Sequence, residues 1–248
     1  MNFTSLDLKL KYRSSEDNIA SDFYIPVLKK AIKYKRAVGY FSSSSLIQLS
    51  KGITGLIENE GKIQLIASPY LQEDDIEAIN QGYKDRYEVI EQSIIDSFSE
   101  PNDYFEKERL NMLAHLISDD LLDIKLAFFE KNNQIGLYHE KIGILYDRDG
   151  NKIAFTGSLN ESLTAYTENF ESIDVFCSWK GKESQERIVD KENDFDKMWG
   201  NQTSKISIME FPQVAKEKLR SYMKSSIDWE VDNKEFSKSV EETQGLYK

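Results

Sequence analysis

Apolar residues recur along the chain with two different periods, and the alternation between them lays out the elements. Ile19, Phe23, Val27 and Ala31 step by four, which predicts a helix over 20–34 with one buried face. The run RAVGYF at 36–41 predicts a short buried strand. Four serines at 42–45 then offer N-caps for a helix over about 46–59, which Glu60-Gly61 ends. KIQLIA at 62–67 is the next strand, closed by Ser68-Pro69. Helix, strand, helix, strand at this spacing predicts an α/β domain with a largely parallel sheet.

From 72 the pattern is mostly helical, divided at Pro101-Asn102, until the apolar run 121–129 returns to strand character. Two strand-like runs, 136–147 and 152–156, flank Arg148-Asp149-Gly150-Asn151, and Asp-Gly is a favoured hairpin turn. A strand over 171–179 and a charged helix over 183–199 follow. After 200 there is one short strand, 205–209, and a helix opened by Pro212 whose apolar positions Val214, Leu219 and Tyr222 read as amphipathic and exposed. Residues 225–248 are polar. The expected organisation is one domain over 1–200 and a short strand–helix extension with a polar linker or docking tail over 201–248.

Composition sets limits on function. The 248 residues are 40% hydrophobic, enough for one sizeable core, and no run nears the roughly 18 apolar residues of a membrane span. The N-terminus lacks the basic-then-apolar layout of a signal peptide, so a cytoplasmic protein without membrane contact is expected. A net charge of −11 argues against coating nucleic acid with the whole surface but leaves room for a local basic groove. One cysteine, Cys177, cannot form an intrachain disulfide, and two histidines make a zinc site improbable. No metal and no cofactor are expected.

One constellation carries chemistry. His139-Glu140-Lys141 is read inside a strand, where a period of two puts His139 and Lys141 on one face. Gly157-Ser158-Leu159-Asn160 follows the partner strand of the hairpin, and Glu171 begins the next strand. An imidazole, an ammonium, an amide, a hydroxyl and a carboxylate can thus converge.

The run YHEKIGILYDRDGNKIAFTGSLNES resembles the HxK…GSxN signature of the phospholipase D superfamily, and TENFESIDVF is similar to its downstream carboxylate segment. IASDFYIPVLKKAIKYKRAVGYFSSSSL and GKIQLIASPYLQEDDIEAINQGY resemble the N-terminal nuclease-like domain found on certain bacterial DEAD/DEAH helicases and restriction proteins. The resemblance spans about 12–199 and implies an α-β-α sandwich with a mixed, largely parallel central sheet. It departs in one place: five residues after Lys141, where the superfamily has aspartate, stands Tyr146, with Asp147 one place late.

The resemblance implies metal-free phosphodiester cleavage through a covalent phosphohistidine on His139, which water then hydrolyses. Glu171 would orient the imidazole and stabilise its cation. Lys141 and Asn160 would hold the non-bridging oxygens, with Ser158 a supporting donor. The mechanism needs a second histidine to protonate the leaving oxygen. With one motif per chain, a homodimer sharing one cleft is expected.

Other residues read more blandly. His115 packs between helices or caps one, and Cys177 is a small core residue. GLIENEGK at 55–62 has one residue too many for a phosphate loop and is a helix end leading into a strand, so no ATP motor is present. Tyr40 and Ser42, at the end of the first core strand, and Gly157 are candidate substrate-binding residues. The residue set points to a phosphodiesterase, and the resemblance implies a DNA nuclease of a bacterial restriction or defence type, DNA being preferred to RNA. The alternatives are a non-catalytic or partner-activated module docking on a helicase or other ATPase, and, less favoured, a phospholipase.

Overall fold

The computed structural model describes residues 2–43, 46, 47, 50, 52–80, 85–131, 134–136, 138–157, 171–231 and 234. Within them nine strands form one sheet: β1 (Lys11–Arg13), β2 (Lys33–Tyr40), β3 (Lys62–Ser68), β4 (Leu122–Lys131), β5 (Gln134–Gly136), β6 (Ile142–Tyr146), β7 (Lys152–Gly157), β8 (Ser172–Cys177) and β9 (Ile206–Glu210). Their order is β1-β8-β7-β6-β2-β3-β4-β5, with β9 added on β4.

β2 is central because six consecutive residues, 34–39, are buried, so both of its faces must be covered. It pairs in parallel with β3, and β3 in parallel with β4. Each of those links crosses over through helix, as parallel neighbours require. The mixed sheet is as expected, but its parallel part is confined to this centre. The other six described pairings are antiparallel. A five-residue turn joins β6 to β7, too short for a crossover and right for a hairpin.

Helices cover both faces. On one, Tyr34, Leu65, Leu126, Leu145, Phe155 and Val175 pack in a large core with Phe23, Leu28, Leu56, Leu110 and Leu113. These last belong to the helical segment 20–28, α2 (Ile53–Glu58) and α5 (Tyr104–Ser118). On the other face Ala37, Ile66, Ala127, Ile144 and Ala154 meet Ile188, Phe195 and Met198 of α6 (Lys182–Trp199). The result is a helix–sheet–helix sandwich.

Two expected helices are shorter than their periodicity. The segment 20–34 forms a π-turn over Ala20–Tyr24 and α1 over Ile25–Leu28, then stops. From Lys33 the chain is needed as β2, whose sheet pairings outweigh a helical continuation. The helix expected over 46–59 is divided at Gly52, which has φ of +78°. A Cβ there would lie 3.0 Å from the Ile25 backbone, so only glycine allows both the left-handed turn and the close approach of α2 to α1. α3 (Glu73–Asn80) and α4 (Arg86–Asp96) precede Pro101, and α5 opens on Asp103, whose side chain accepts from Glu106 N.

The segment after 200 is tied to this body. β9 pairs with β4 from Lys125↔Glu210 to Phe129↔Ile206, and Pro212 caps α7 (Gln213–Arg220). Leu219 and Val231 are fully buried, whereas Val214 is exposed. Asn111 donates to the Ser226 carbonyl at 2.9 Å and accepts from Lys224 N at 2.7 Å, and His115 Nε2 lies 3.0 Å from the Lys224 carbonyl. His115 thus fastens a returning chain segment to a helix.

Under α6 lies a polar cluster. Lys35 Nζ donates to Asp196 at 2.6 Å, Tyr146 Oη donates to Glu192 at 2.6 Å, and Lys152 Nζ donates to Glu192 at 2.5 Å. Lys35 is buried, so its charge is tolerated only because these carboxylates and the Tyr146 ring, 5.4 Å away, face it.

Candidate active site

The sheet edge at the C-terminal ends of β2, β3 and β7 gathers most of the described candidate residues. Register explains why. Ala37 of β2 faces Ile142 of β6, so counting outward places Tyr40 beside His139. The two rings lie 6.1 Å apart at a steep angle. Likewise Ile142 faces Thr156, and Gly157 faces Ile173 of β8, which puts Lys141, Gly157 and Glu171 at neighbouring strand ends.

One expectation needs correction. His139 and Lys141 do not sit inside a strand: residues 138–141 carry no regular structure, and β6 begins at Ile142. Gly136 belongs to β5, which pairs with β4. The reason lies in β2, whose regular pairing ends at Ala37 and whose register with β3 shifts before Tyr40. No straight partner edge is left for 138–141, so the segment departs from the ladder.

The two side chains meet nonetheless. Lys141 Nζ lies 3.1 Å from His139 Nδ1, 3.2 Å from Nε2 and 3.2 Å from the His139 carbonyl. Near-equal distances to both ring nitrogens mean that the ammonium does not select a tautomer. The Lys141 carbonyl accepts from Thr156 Oγ1 at 2.9 Å, which ties the segment to β7. Lys141 is buried and His139 is exposed, so the cation is fixed below while the imidazole faces outward. Desolvation and the adjacent Lys141 charge both hold the imidazole below its ordinary 6.5. Both effects favour the neutral imidazole over the imidazolium.

Glu171 is buried and joins β1 to β8: its N–H donates to Ser14 Oγ at 2.9 Å, and its carbonyl accepts from Ser14 N at 2.9 Å. Gly157 ends β7 in close contact with β8, where a Cβ would fall 2.0 Å from the Ser172 carbonyl oxygen. Only glycine fits there. Ser42 lies two residues beyond Tyr40, and its carbonyl accepts from Leu46 N at 3.1 Å. Ser158 and Asn160 lie outside the described residues.

Several residues near the site escaped sequence reasoning. Arg36, almost fully buried in β2, faces Gly143 and stacks its guanidinium 5.0 Å from the Phe155 ring. An arginine within the apolar run RAVGYF is the signal that could have marked it. Tyr138 is buried beside His139, and its hydroxyl pKa is raised by desolvation. Tyr70 follows β3 and stands edge-on to Tyr40, ring centroids 5.1 Å apart.

The residue where the superfamily pattern departs has a clear task. Asp147 is buried, accepts from Asp149 N at 3.0 Å, Asn151 N at 2.8 Å and Asn151 Nδ2 at 2.8 Å, and reaches Phe3 N at 2.7 Å. It shapes the β6–β7 hairpin and anchors the N-terminal segment. Tyr146 at the motif position holds Glu192 of α6. Cys177 is a buried free thiol within the core, its pKa pushed up by desolvation. Among the described residues no three His, Cys, Asp or Glu side chains group as metal ligands, and no helix is long and apolar enough to cross a membrane.

No family model matches the chain and no curated protein matches it. Solved structures do. The chain is similar to NucT from Helicobacter pylori at 18% identity and a TM-score of 0.46, covering 81% of this chain and 98% of that one. It is similar to Nuc from Salmonella typhimurium, a phospholipase D family member, at 14% identity and a TM-score of 0.38, covering 74% and 92%. Polyphosphate kinase from Porphyromonas gingivalis is similar at 10% identity and a TM-score of 0.44, over 96% of this chain and 29% of that one. The chain resembles the phospholipase D superfamily. With all three TM-scores below 0.5, that resemblance stands on His139, Lys141 and the run that follows them.

Proposed function

We propose that this chain is a metal-independent phosphodiesterase that cleaves nucleic acid, DNA in preference to RNA, through a phosphohistidine formed on His139. The observation that carries this reading is the pairing of an outward-facing imidazole with a buried ammonium 3.1 Å away. An uncharged nitrogen attacks phosphorus, and the neighbouring cation stabilises the oxygens on which charge builds.

The chemistry runs in two displacements. A lone pair of His139 forms the P–N bond as the P–O bond to the leaving oxygen breaks, and a second imidazole gives that oxygen its proton. Water then attacks phosphorus, yields its proton to the second imidazole and releases His139. Glu171 accepts the N–H of the attacking imidazole, Lys141 and Asn160 hold the non-bridging oxygens, and Ser158 supports them. Tyr40, Ser42 and Gly157 line the cleft. The second imidazole is His139 of another copy, which makes the active species a homodimer. The bacterial restriction or defence setting comes from the motif resemblance.

Trapping tests the reading. Labelled DNA mixed with excess enzyme and quenched in alkali is expected to leave an acid-labile adduct on the peptide containing His139, absent in His139→Ala. Turnover without any adduct, persisting in the variant, would overturn it.

The net charge of −11 favours a second reading, in which weak intrinsic affinity for nucleic acid makes a helicase or other ATPase partner deliver substrate or use the fold as a docking module. Activity that appears only when such a partner is added would select it.

A further inference from the structure

The edge holding His139 continues into a line of rings that the phosphodiester chemistry does not use. Tyr40 stands 6.1 Å from the His139 ring, and Tyr70 stands 5.1 Å from Tyr40 on its far side. The three come from adjoining strand ends: His139 before β6, Tyr40 at the end of β2 and Tyr70 just past the end of β3. Strand neighbours are about 4.8 Å apart, so the rings step outward from the imidazole at roughly the strand spacing.

An exposed tyrosine is by itself ordinary. Tyr70 differs in how it is held. The residue is 50% exposed, yet its backbone is fixed by Pro69 before it and by its carbonyl, which accepts a hydrogen bond from Ser93 Oγ of α4. The Tyr40 ring braces it edge-on, which leaves a Tyr70 face open to solvent. A rigidly placed, open aromatic face two ring steps from a nucleophile is a stacking platform.

We propose that Tyr70, braced by Tyr40, stacks an unpaired base of the substrate and makes the site selective for single-stranded nucleic acid. This rests on the phosphodiesterase reading and adds to it the strand state of the substrate. Bases in a duplex already stack on their neighbours and pair across the helix, so their faces are closed to Tyr70; a single strand presents them freely. Stacking depends on ring faces and not on base edges, so the selection is for strandedness with little sequence preference. Tyr70 acts on binding and leaves the chemical step to His139 and Lys141.

The test compares wild type, Tyr70→Ala and Tyr70→Phe on a fluorescein-labelled single-stranded oligothymidine, on a duplex of equal length, and on the same strand with abasic sites. Tyr70→Ala is expected to raise KM roughly tenfold on the single strand with kcat unchanged, as the loss of one stacked base predicts. Tyr70→Phe restores the wild-type value, and the abasic strand removes the difference between wild type and Tyr70→Ala. The duplex KM is unchanged. An equal KM in Tyr70→Ala and wild type on the single strand overturns the proposal, and so does an equal rise on strand and duplex. Fluorescence anisotropy with the same oligothymidine gives an independent reading. If wild type cuts nothing, the phosphodiesterase reading fails, while a roughly tenfold weaker Kd for Tyr70→Ala than for wild type still supports the platform and an unchanged Kd removes it.

Discussion

Desolvation and an ammonium 3.1 Å from an imidazole nitrogen both oppose protonation of that imidazole, and together they set the pH behaviour of the site. Because the His139 pKa is lowered, the neutral nucleophile persists to lower pH than in a free histidine. The second His139 must carry a proton to serve the leaving oxygen, so activity is expected to peak and to fall on both sides, with the peak displaced to lower pH than a pair of free histidines would give. Proton NMR of the two histidines, assigned with His139→Ala, is expected to place His139 below 6.5. Lys141→Gln removes the charge and is expected to raise the His139 pKa. A His139 titrating at or above 6.5 in the wild type would contradict the assignment. At this scale the sequence named the His139–Lys141 pair that the structure brings together but not its surroundings. His-x-Lys announced the pair, but nothing in its spacing revealed that a shift in β2 register would leave 138–141 outside the ladder. Asp147 is another such case. Its place one residue late makes it the organiser of the hairpin, accepting from Asp149, Asn151 and Phe3. Asp147→Ala leaves those donors unmet and is expected to cost about 2 kcal/mol or more in denaturant unfolding.

Elements were legible where one periodicity ran uncontested. The helix expected over 183–199 and the strand over 62–67 form within a residue of their expected bounds, and the turn about Asp149-Gly150 forms where expected, although the strand before it begins at Ile142 and not at 136. They failed where tertiary contacts compete with local preference. The four-residue step through Ala31 promised a longer helix, yet Lys33 is already in β2 because that strand is held by partners on both sides. Gly52 shows the same competition on a helix, since contact with Ile25 outweighs helical continuity. Gly52→Ala forces a side chain into a left-handed turn and is expected to destabilise the fold by about 1–2 kcal/mol, read as a lower denaturant midpoint. A midpoint equal to wild type would show that α1 and α2 separate more readily than their contact implies.

Across the whole molecule, strand order was beyond the reach of periodicity. The pairing that builds the site joins Ala37 to Ile142, over a hundred residues apart, and nothing local in either run names the other. The strand and helix expected after 200 were read as an extension, yet β9 completes the sheet beside β4 and Leu219 and Val231 are fully buried. Assembly is the remaining whole-molecule claim. One HxK motif per chain supplies one imidazole, while the two-step chemistry uses two, so a dimer is expected to sediment at twice the chain mass. Mixing wild type with excess inactive His139→Ala is then expected to depress activity below simple dilution as mixed dimers form. A fully active monomer would contradict the shared cleft.

The central claim is that His139 breaks phosphodiesters without a metal ion, and cleavage of labelled single- and double-stranded DNA in excess EDTA tests it most directly. Cutting by the wild type that survives chelation and vanishes in His139→Ala is the predicted result. Cutting that stops with EDTA, or that continues equally in His139→Ala, would contradict it.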